Sequence, residues 1–241
     1  MSADRQPPVS GDPHHGGDRW RTTEARTTVH LPAEDDLRRE RARFLDTIES
    51  LTDAEFEGAR TLCAGWAPRD VLAHVTGTDR LGDYLAKGLW IDRANSAQVR
   101  RGRELSRAEL TAAGRRWAAR PSLFGRCAAA FLLGDLAVHH QDVLRGLGRS
   151  RRLPRAVERA VYQEGVLLSF EHNRRLLRHR VVPTTAGVPA LGRGPEVRGT
   201  AEALGLWLGG RDAVTGELQF ATAHREFAEG QDRSGPPAVT I

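Results

Sequence analysis

Apolar side chains recur through the middle of this chain at the three-and-four spacing of helices, and each run opens on a residue suited to start one. After Pro32, the positions Leu37, Phe44, Leu45, Ile48 and Leu51 mark the buried stripe of a first helix, with Arg and Glu on its other faces. Pro68 starts a second, whose stripe is Val71, Leu72, Val75, Leu81 and Leu85. Proline suits that first turn because its missing N–H would have had no partner there. Ser106 and Glu109 have the spacing of a capping box for a third helix carrying Leu110, Ala113 and Trp117. Pro121 and Ser122 open a long fourth helix with Phe124, Cys127, Phe131 and Leu132 on its buried face, stopping near Gly148. A fifth follows Pro154, with Val157, Val161, Val166, Leu167 and Phe170.

Beyond Leu177 the pattern shortens. Val181 and Val182, a turn at Gly187, Val188 and Pro189, and the stretch 192–199 predict short strands, followed by a helix from Thr200 to about Gly209. The chain thus reads as a mainly α protein: a helical bundle over 32–177 and a small α/β domain over 178–228. A disordered lead over 1–31 and a flexible tail over 229–241 complete it, both poor in large apolar side chains. His14 and His15 fall in the lead, where no geometry would be fixed for a ligand.

Composition changes this picture little. At 39% hydrophobic the 241 residues can build a core. Of the 36 Lys and Arg residues all but Lys87 are arginine, and the net charge is +5. GC-rich codon usage produces such a preference without any nucleic-acid partner. Between Asp92 and Arg120 eight arginines face three acids, yet no helix-turn-helix, zinc finger or aromatic RNA-binding motif accompanies them, so a solvated helix face is expected. Two cysteines make no disulfide framework, and no apolar run approaches the roughly 18–20 residues that span a bilayer. A cytoplasmic protein that binds neither nucleic acid nor membrane is the expectation.

One constellation carries chemistry. Asp135 and His139 stand four apart on the fourth helix, within about 40° of each other around its axis and with Cβ atoms roughly 5–6 Å apart. His74 lies on the apolar stripe of the second helix, pointing into the bundle. Two imidazoles and one carboxylate leave coordination positions open, as catalytic zinc and non-haem iron sites do. A hydrogen-bonded core histidine beside a local polar pair is the alternative, although Leu132, Leu136 and Val143 surround Asp135 and an unpaired carboxylate among them is costly.

Three segments also resemble a known family. Cys63, Gly65, Trp66, Asp70, Val71, Ala73 and His74 follow the pattern C-x-G-W-x-x-x-D-V-x-A-H of the mycothiol-dependent maleylpyruvate isomerase family. Asp135, His139, Asp142, Leu147 and Gly148 are similar to its E-x-x-x-H-x-x-D-x-x-x-A-L-G. Gly199, Ala201, Leu204, Leu206, Trp207, Leu208, Gly210 and Arg211 are similar to its G-x-A-x-x-L-x-L-W-L-x-G-R. The segments occur in the family's order, and the likeness spans residues 37–212.

The resemblance implies a DinB-like four-helix bundle followed by a small α/β domain, and a divalent metal, usually zinc. Its ligands here would be His74, Asp135 and His139. The middle ligand departs from the pattern, since Asp135 stands where the family has Glu. One methylene shorter, it must approach through a backbone shift, bind differently or lose the metal; His140 and Asp142 are the nearest substitutes. The implied activity is isomerisation, or thiol transfer, on a small electrophilic substrate of the maleylpyruvate kind with mycothiol as thiol cosubstrate. The steps would be thiol addition to a double bond, rotation and elimination. Arg211 is the arginine expected to act catalytically, pairing bidentately with an anionic substrate, against the alternative that it caps the short helix. Trp66 and Trp207 are expected to pack, and Cys63 to be a small buried hydrophobe. A non-catalytic metal-binding or protein-interaction domain is the competing function. Such bundles often pair, which makes a homodimer possible, although the sequence does not give the oligomeric state.

Overall fold

The computed structural model describes residues 31, 33–80, 82, 85 and 91–221. The lead and tail predicted from sequence, and Leu81, lie outside the described residues except for residue 31. Helix α1 (Glu34–Glu49) runs to a short α2 (Asp53–Gly58), then α3 (Pro68–Gly77), α4 (Ile91–Arg103) and α5 (Arg107–Ala119). A single turn, α6 (Leu123–Cys127), precedes the long α7 (Ala129–Gly146), which is followed by α8 (Arg155–Leu168). A π-helical turn (Ser169–Asn173) and α9 (Arg175–Arg178) lead into strands β1 (Arg180–Pro183), β2 (Leu191–Gly192) and β3 (Glu196–Gly199). Helix α10 (Ala201–Leu208), a 3-10 turn (Asp212–Glu217) and β4 (Gln219–Phe220) complete the fold. The protein is mainly α with one small sheet. Among the described residues no helix is long and apolar enough to cross a membrane.

The helices form where the pattern places them, with local chemistry at their ends. Pro68 occupies the first turn of α3. Ser106 and Glu109 cap α5 reciprocally: the Ser106 Oγ accepts from Glu109 N, and the Glu109 carboxylate accepts from Ser106 N at 2.8 Å. Gly148 takes a left-handed φ of 67° just past the end of α7, a conformation that costs glycine nothing. The stripe of α1 is buried as expected, with Leu37, Phe44, Leu45, Ile48 and Leu51 each 6% exposed or less. Burying a side chain of this kind contributes about 1.5–3 kcal/mol.

Four sequence expectations are corrected. The polar residues of α1 are not all solvated: Glu34, Glu40 and Arg41 are buried, because other helices bring partners to them. Arg41 bonds Asp79 at 2.6 Å, and Glu40 takes His140 at 2.8 Å together with Arg151. Helix α4 was not visible in the pattern, since its buried face holds Ala94, Gln98 and Val99 and little that is strongly apolar. The predicted fourth helix breaks at Ala128, which turns Cys127 and Phe131 outward and leaves Ala129, Leu132, Leu133 and Leu136 as the buried face. Leu85, Leu167 and Phe170 are likewise exposed, beyond the reach of the core.

The sheet has the order β2-β1-β3-β4, with β1 and β3 parallel and the outer pairs antiparallel. Val181 and Val197 face each other in register on its buried side, where α10 covers them. Helix α10 also crosses α8 at very close range. A Cβ added to Gly165 would collide with the Gly205 carbonyl, and one on Gly205 with the Val161 carbonyl, so glycine at both positions sets the separation of the two helices. One continuous core therefore runs from α1 through α8 into α10 and the sheet. Two arginine anchors reinforce the joint. Arg145 near the end of α7 holds Glu202 at 2.9 Å and also Glu217, and Arg211 beyond α10 holds Asp142 of α7.

Candidate metal centre

The loop before α3 builds one wall of the centre. Thr61 Oγ1 donates to the Trp66 carbonyl at 2.9 Å, and Leu62 N donates to the Asp142 carbonyl at 3.0 Å, which ties the loop to α7. Asp70 fixes the start of α3 by accepting from Ala67 N at 3.1 Å. It also takes both forks of Arg103, at 2.8 and 2.9 Å, and so pins α4 alongside. The aspartate of the first motif is thus an anchor for two helices. Trp66 lies against both histidines, its ring centroid 5.1 Å from that of His74 and 5.6 Å from that of His139. The packing role expected of it is what the geometry shows, and the packing is on the candidate ligands themselves.

His74 from α3 and His139 from α7 meet edge to face with centroids 4.8 Å apart. The Nε2 atom of each lies 3.6 Å from Asp135 Oδ1. Behind the rings, His74 Nδ1 faces Gln98 Oε1 at 3.1 Å and His139 Nδ1 faces Asp142 Oδ2 at 3.0 Å. Both outer atoms can only accept, so each Nδ1 carries a proton and donates, and both Nε2 atoms are turned toward Asp135. The Asp135 carboxyl is itself ionised: burial pushes its pKa up, but the His74 imidazole, then His139 and Arg211, hold it at about 2. The two Nε2 atoms and Asp135 Oδ1 therefore converge on one point, where they share a proton or hold a cation in its place.

The donor set fits a metal ion in two further respects. Ligand atoms bound to one ion at zinc distances in tetrahedral directions stand about 3.3 Å apart, close to the 3.6 Å from Asp135 to each imidazole. Metal-bound histidines almost always donate their second N–H to a carboxylate, carbonyl or water, as both rings do here. The shorter aspartate reaches both imidazoles equally, without a substitute. His140 is turned away, held by Glu40 at 2.8 Å and Thr47 Oγ1 at 2.9 Å. Asp142 is occupied behind His139.

Arg211 stands where the sequence puts it but not as expected. Its Nε and Nη2 pair with Asp142 at 3.1 and 2.8 Å, and its Nη1 donates to the Gly209 carbonyl at 2.7 Å. With all three nitrogens engaged and the side chain 12% exposed, it presents no free fork to a substrate carboxylate. It acts through Asp142, whose pKa is lowered by the Arg211 charge and His139 against the upward push of burial. Arg211, Asp142 and His139 form a chain that ends at the imidazole. Gln98 and this use of Asp142 were not foreseen. The i,i+3 spacing of His139 and Asp142 was a usable signal, whereas nothing in the polar run around Gln98 marked it.

Two other ionisable groups lie close by. Burial and the charge of Asp142 push the Cys63 thiol up to about 11, so its sulfur stays protonated. Glu164 on α8 is 6% exposed, and burial followed by the charge of Asp135 raises its pKa to about 8. Trp207 is buried, flanked by His179, Phe220 and Arg175, and belongs to the core.

Residues 37–122 match the sequence profile of the mycothiol maleylpyruvate isomerase N-terminal domain. No curated protein matches the chain. Among solved structures it is similar to the crystal structure of a histidine-to-alanine mutant of the mycothiol-dependent maleylpyruvate isomerase, with a TM-score of 0.56 and 14% identity. The similarity covers 79% of this chain and 93% of that one. A second crystal structure of a mycothiol-dependent maleylpyruvate isomerase gives a TM-score of 0.50 and 15% identity over 75% of this chain and 90% of that one. At these identities the likeness is one of fold, the DinB-like bundle with its small appended sheet. The profile falls on the segment that carries Trp66, Asp70 and His74, so residues 37–122 are similar to the mycothiol maleylpyruvate isomerase N-terminal domain, within a fold that the two solved structures share.

Proposed function

We propose that this protein is a zinc-dependent enzyme that uses a low-molecular-weight thiol, mycothiol, to isomerise a small electrophile of the maleylpyruvate kind or to transfer the thiol to it. The observation that carries this reading is the convergence of His74 Nε2, His139 Nε2 and Asp135 Oδ1, each imidazole locked from behind by a dedicated acceptor. These three residues would hold the ion, and when bound it supplies Lewis acidity that lowers the pKa of a coordinated thiol.

The remaining work belongs to the chain itself. Asp142 and Gln98 keep protons on the two Nδ1 atoms and so keep the Nε2 atoms as donors of lone pairs. Arg211 keeps Asp142 ionised, and Trp66 covers both rings and excludes water from that side. Cys63, the thiol nearest the centre, stays protonated, so the reacting sulfur comes from a cosubstrate. In this proposal the bundle over 32–177 supplies the ligands, and the unit over 178–228 supplies Arg211 to orient one of them.

The test follows conversion of maleylpyruvate to fumarylpyruvate by ultraviolet absorbance with and without mycothiol, using metal-loaded protein and its His74→Ala variant. Turnover that requires both the thiol and His74 supports the reading. Metal-loaded protein that neither binds mycothiol nor turns over is instead a metal-binding domain without this activity.

A further inference from the structure

On α3, Thr76 is two residues past His74 and therefore about 200° around the helix from it, on a face turned away from the metal centre. That face forms, with α5 and the start of α6, a cleft of about 700 Å³, a size typical of small-molecule sites. Arg80, Arg115, Arg116 and Arg120 line it, opposed only by Asp79. The aspartate is already committed, because Arg41 bonds it at 2.6 Å from the buried side. Arg115 pairs with Glu49 at 2.7 Å and remains 65% exposed. Arg80, Arg116 and Arg120 make no side-chain hydrogen bond or ion pair among the described residues. This is unusual in a protein whose other arginines so often pair, as Arg69, Arg103, Arg107, Arg145 and Arg211 do.

A second, independent observation points to a ligand. Trp117 lines the same cleft and is 8% exposed, yet its indole Nε1 is buried with no hydrogen-bond partner. Arg41, which stacks on that ring at 4.5 Å, has an orphan Nε as well. An indole N–H can only donate, and so can a guanidinium. Cleft and wall are therefore rich in donors and positive charge, and short of acceptors. Donors buried without a partner are costly, and they leave this wall with no acceptor of its own to set against the arginines.

We propose that this cleft is an anion-binding site, separate from the metal centre, for a small molecule carrying a phosphate or diphosphate group. Arginine forks match phosphate oxygens bidentately, and several such forks around one cleft favour a group with more than one negative charge. The indole and aliphatic wall suits an apolar or aromatic moiety attached to it. A stretch of nucleic acid is the less suitable occupant, because the arginines surround a concavity and form no extended stripe along a helix.

The test is isothermal titration of the full-length protein with inorganic pyrophosphate at 150 mM salt, beside the Arg116→Gln/Arg120→Gln double variant. Both side chains are exposed, so the variant should keep its melting temperature and its full metal content. The proposal expects saturable binding by the wild type and at least tenfold weaker binding by the double variant. Equal binding by the two proteins would place the anion elsewhere, including at the metal centre, and overturn it. So would no saturable binding up to 10 mM, or tighter binding of a short DNA duplex than of pyrophosphate. None of these outcomes depends on isomerase activity, so the proposal and the proposed function fail independently.

Discussion

Glu164 gives a pH dependence that can be worked through in full. Its side chain packs beside Gly134 at the crossing of α7 and α8, where a Cβ on that glycine would stand 3.0 Å from its own Cβ, and no described residue bonds its carboxyl. Burial, then Asp135, raises its pKa from the usual 4.5 to about 8. Below pH 4.5 the folded and unfolded chains both hold the proton and the group contributes nothing to pH dependence. Between 4.5 and 8 the unfolded carboxyl is ionised while the folded one keeps its proton, so folding takes up a proton and stability falls as pH rises. The slope is about 1.4 kcal/mol per pH unit, and the full penalty, reached above pH 8, is about 5 kcal/mol at its upper limit. Against a domain stability of about 5–15 kcal/mol this is a large effect. Glu164→Gln keeps the shape and removes the titration. Urea unfolding of both proteins at pH 5.5 and 8.5 should show the wild type losing about 3 kcal/mol more than the variant over that interval. All other titrations are common to the two and cancel. Parallel stability profiles would refute the reasoning and mean that Glu164 ionises freely in the folded state.

Three further outcomes follow from the packing and the charge networks. Gly165→Ala should destabilise by about 2–3 kcal/mol, seen as a fall of roughly 5–10 °C in melting temperature, because its Cβ meets the Gly205 carbonyl; an unchanged value would mean that α10 slides freely on α8. Asp142→Asn leaves the largely buried Arg211 without its carboxylate and should cost about 3–5 kcal/mol. Metal affinity should fall 10–100-fold with it, read by competition with a chromogenic chelator. Cys63 should resist alkylation at pH 8 while exposed Cys127 reacts, at least tenfold apart by mass spectrometry, because the Cys63 thiol is pushed to about 11. Equal rates would contradict that environment.

The helices that surround the centre were legible because their buried faces are built from large apolar residues at regular spacing. The stripe of α1, the Pro68 start of α3 and the Ser106–Glu109 cap all repeat in three dimensions what the sequence spells locally. What was hidden depends on partners distant in sequence. Helix α4 hides because its buried face carries the small apolar Ala94 and Val99 beside Gln98, which meets His74. The buried Glu40 and Arg41 looked like solvated charges, since periodicity reports a residue's own hydrophobicity and not the arrival of His140 or Asp79 from another helix. The residues that converge at the centre could be named in advance because two share a helix face and the third lies on an inward stripe. The role of Arg211 could not, since a motif position does not say whether a guanidinium meets a ligand or a neighbouring aspartate.

The most direct measurement is the metal content of untagged protein, by plasma mass spectrometry, for the wild type and for His74→Ala, Asp135→Ala and His139→Ala. The account predicts close to one zinc per chain in the wild type and less than one tenth of that in each variant, with folding retained by circular dichroism. Wild-type protein free of metal after loading with zinc, or variants that keep it, would contradict the claim that these three side chains form one metal site.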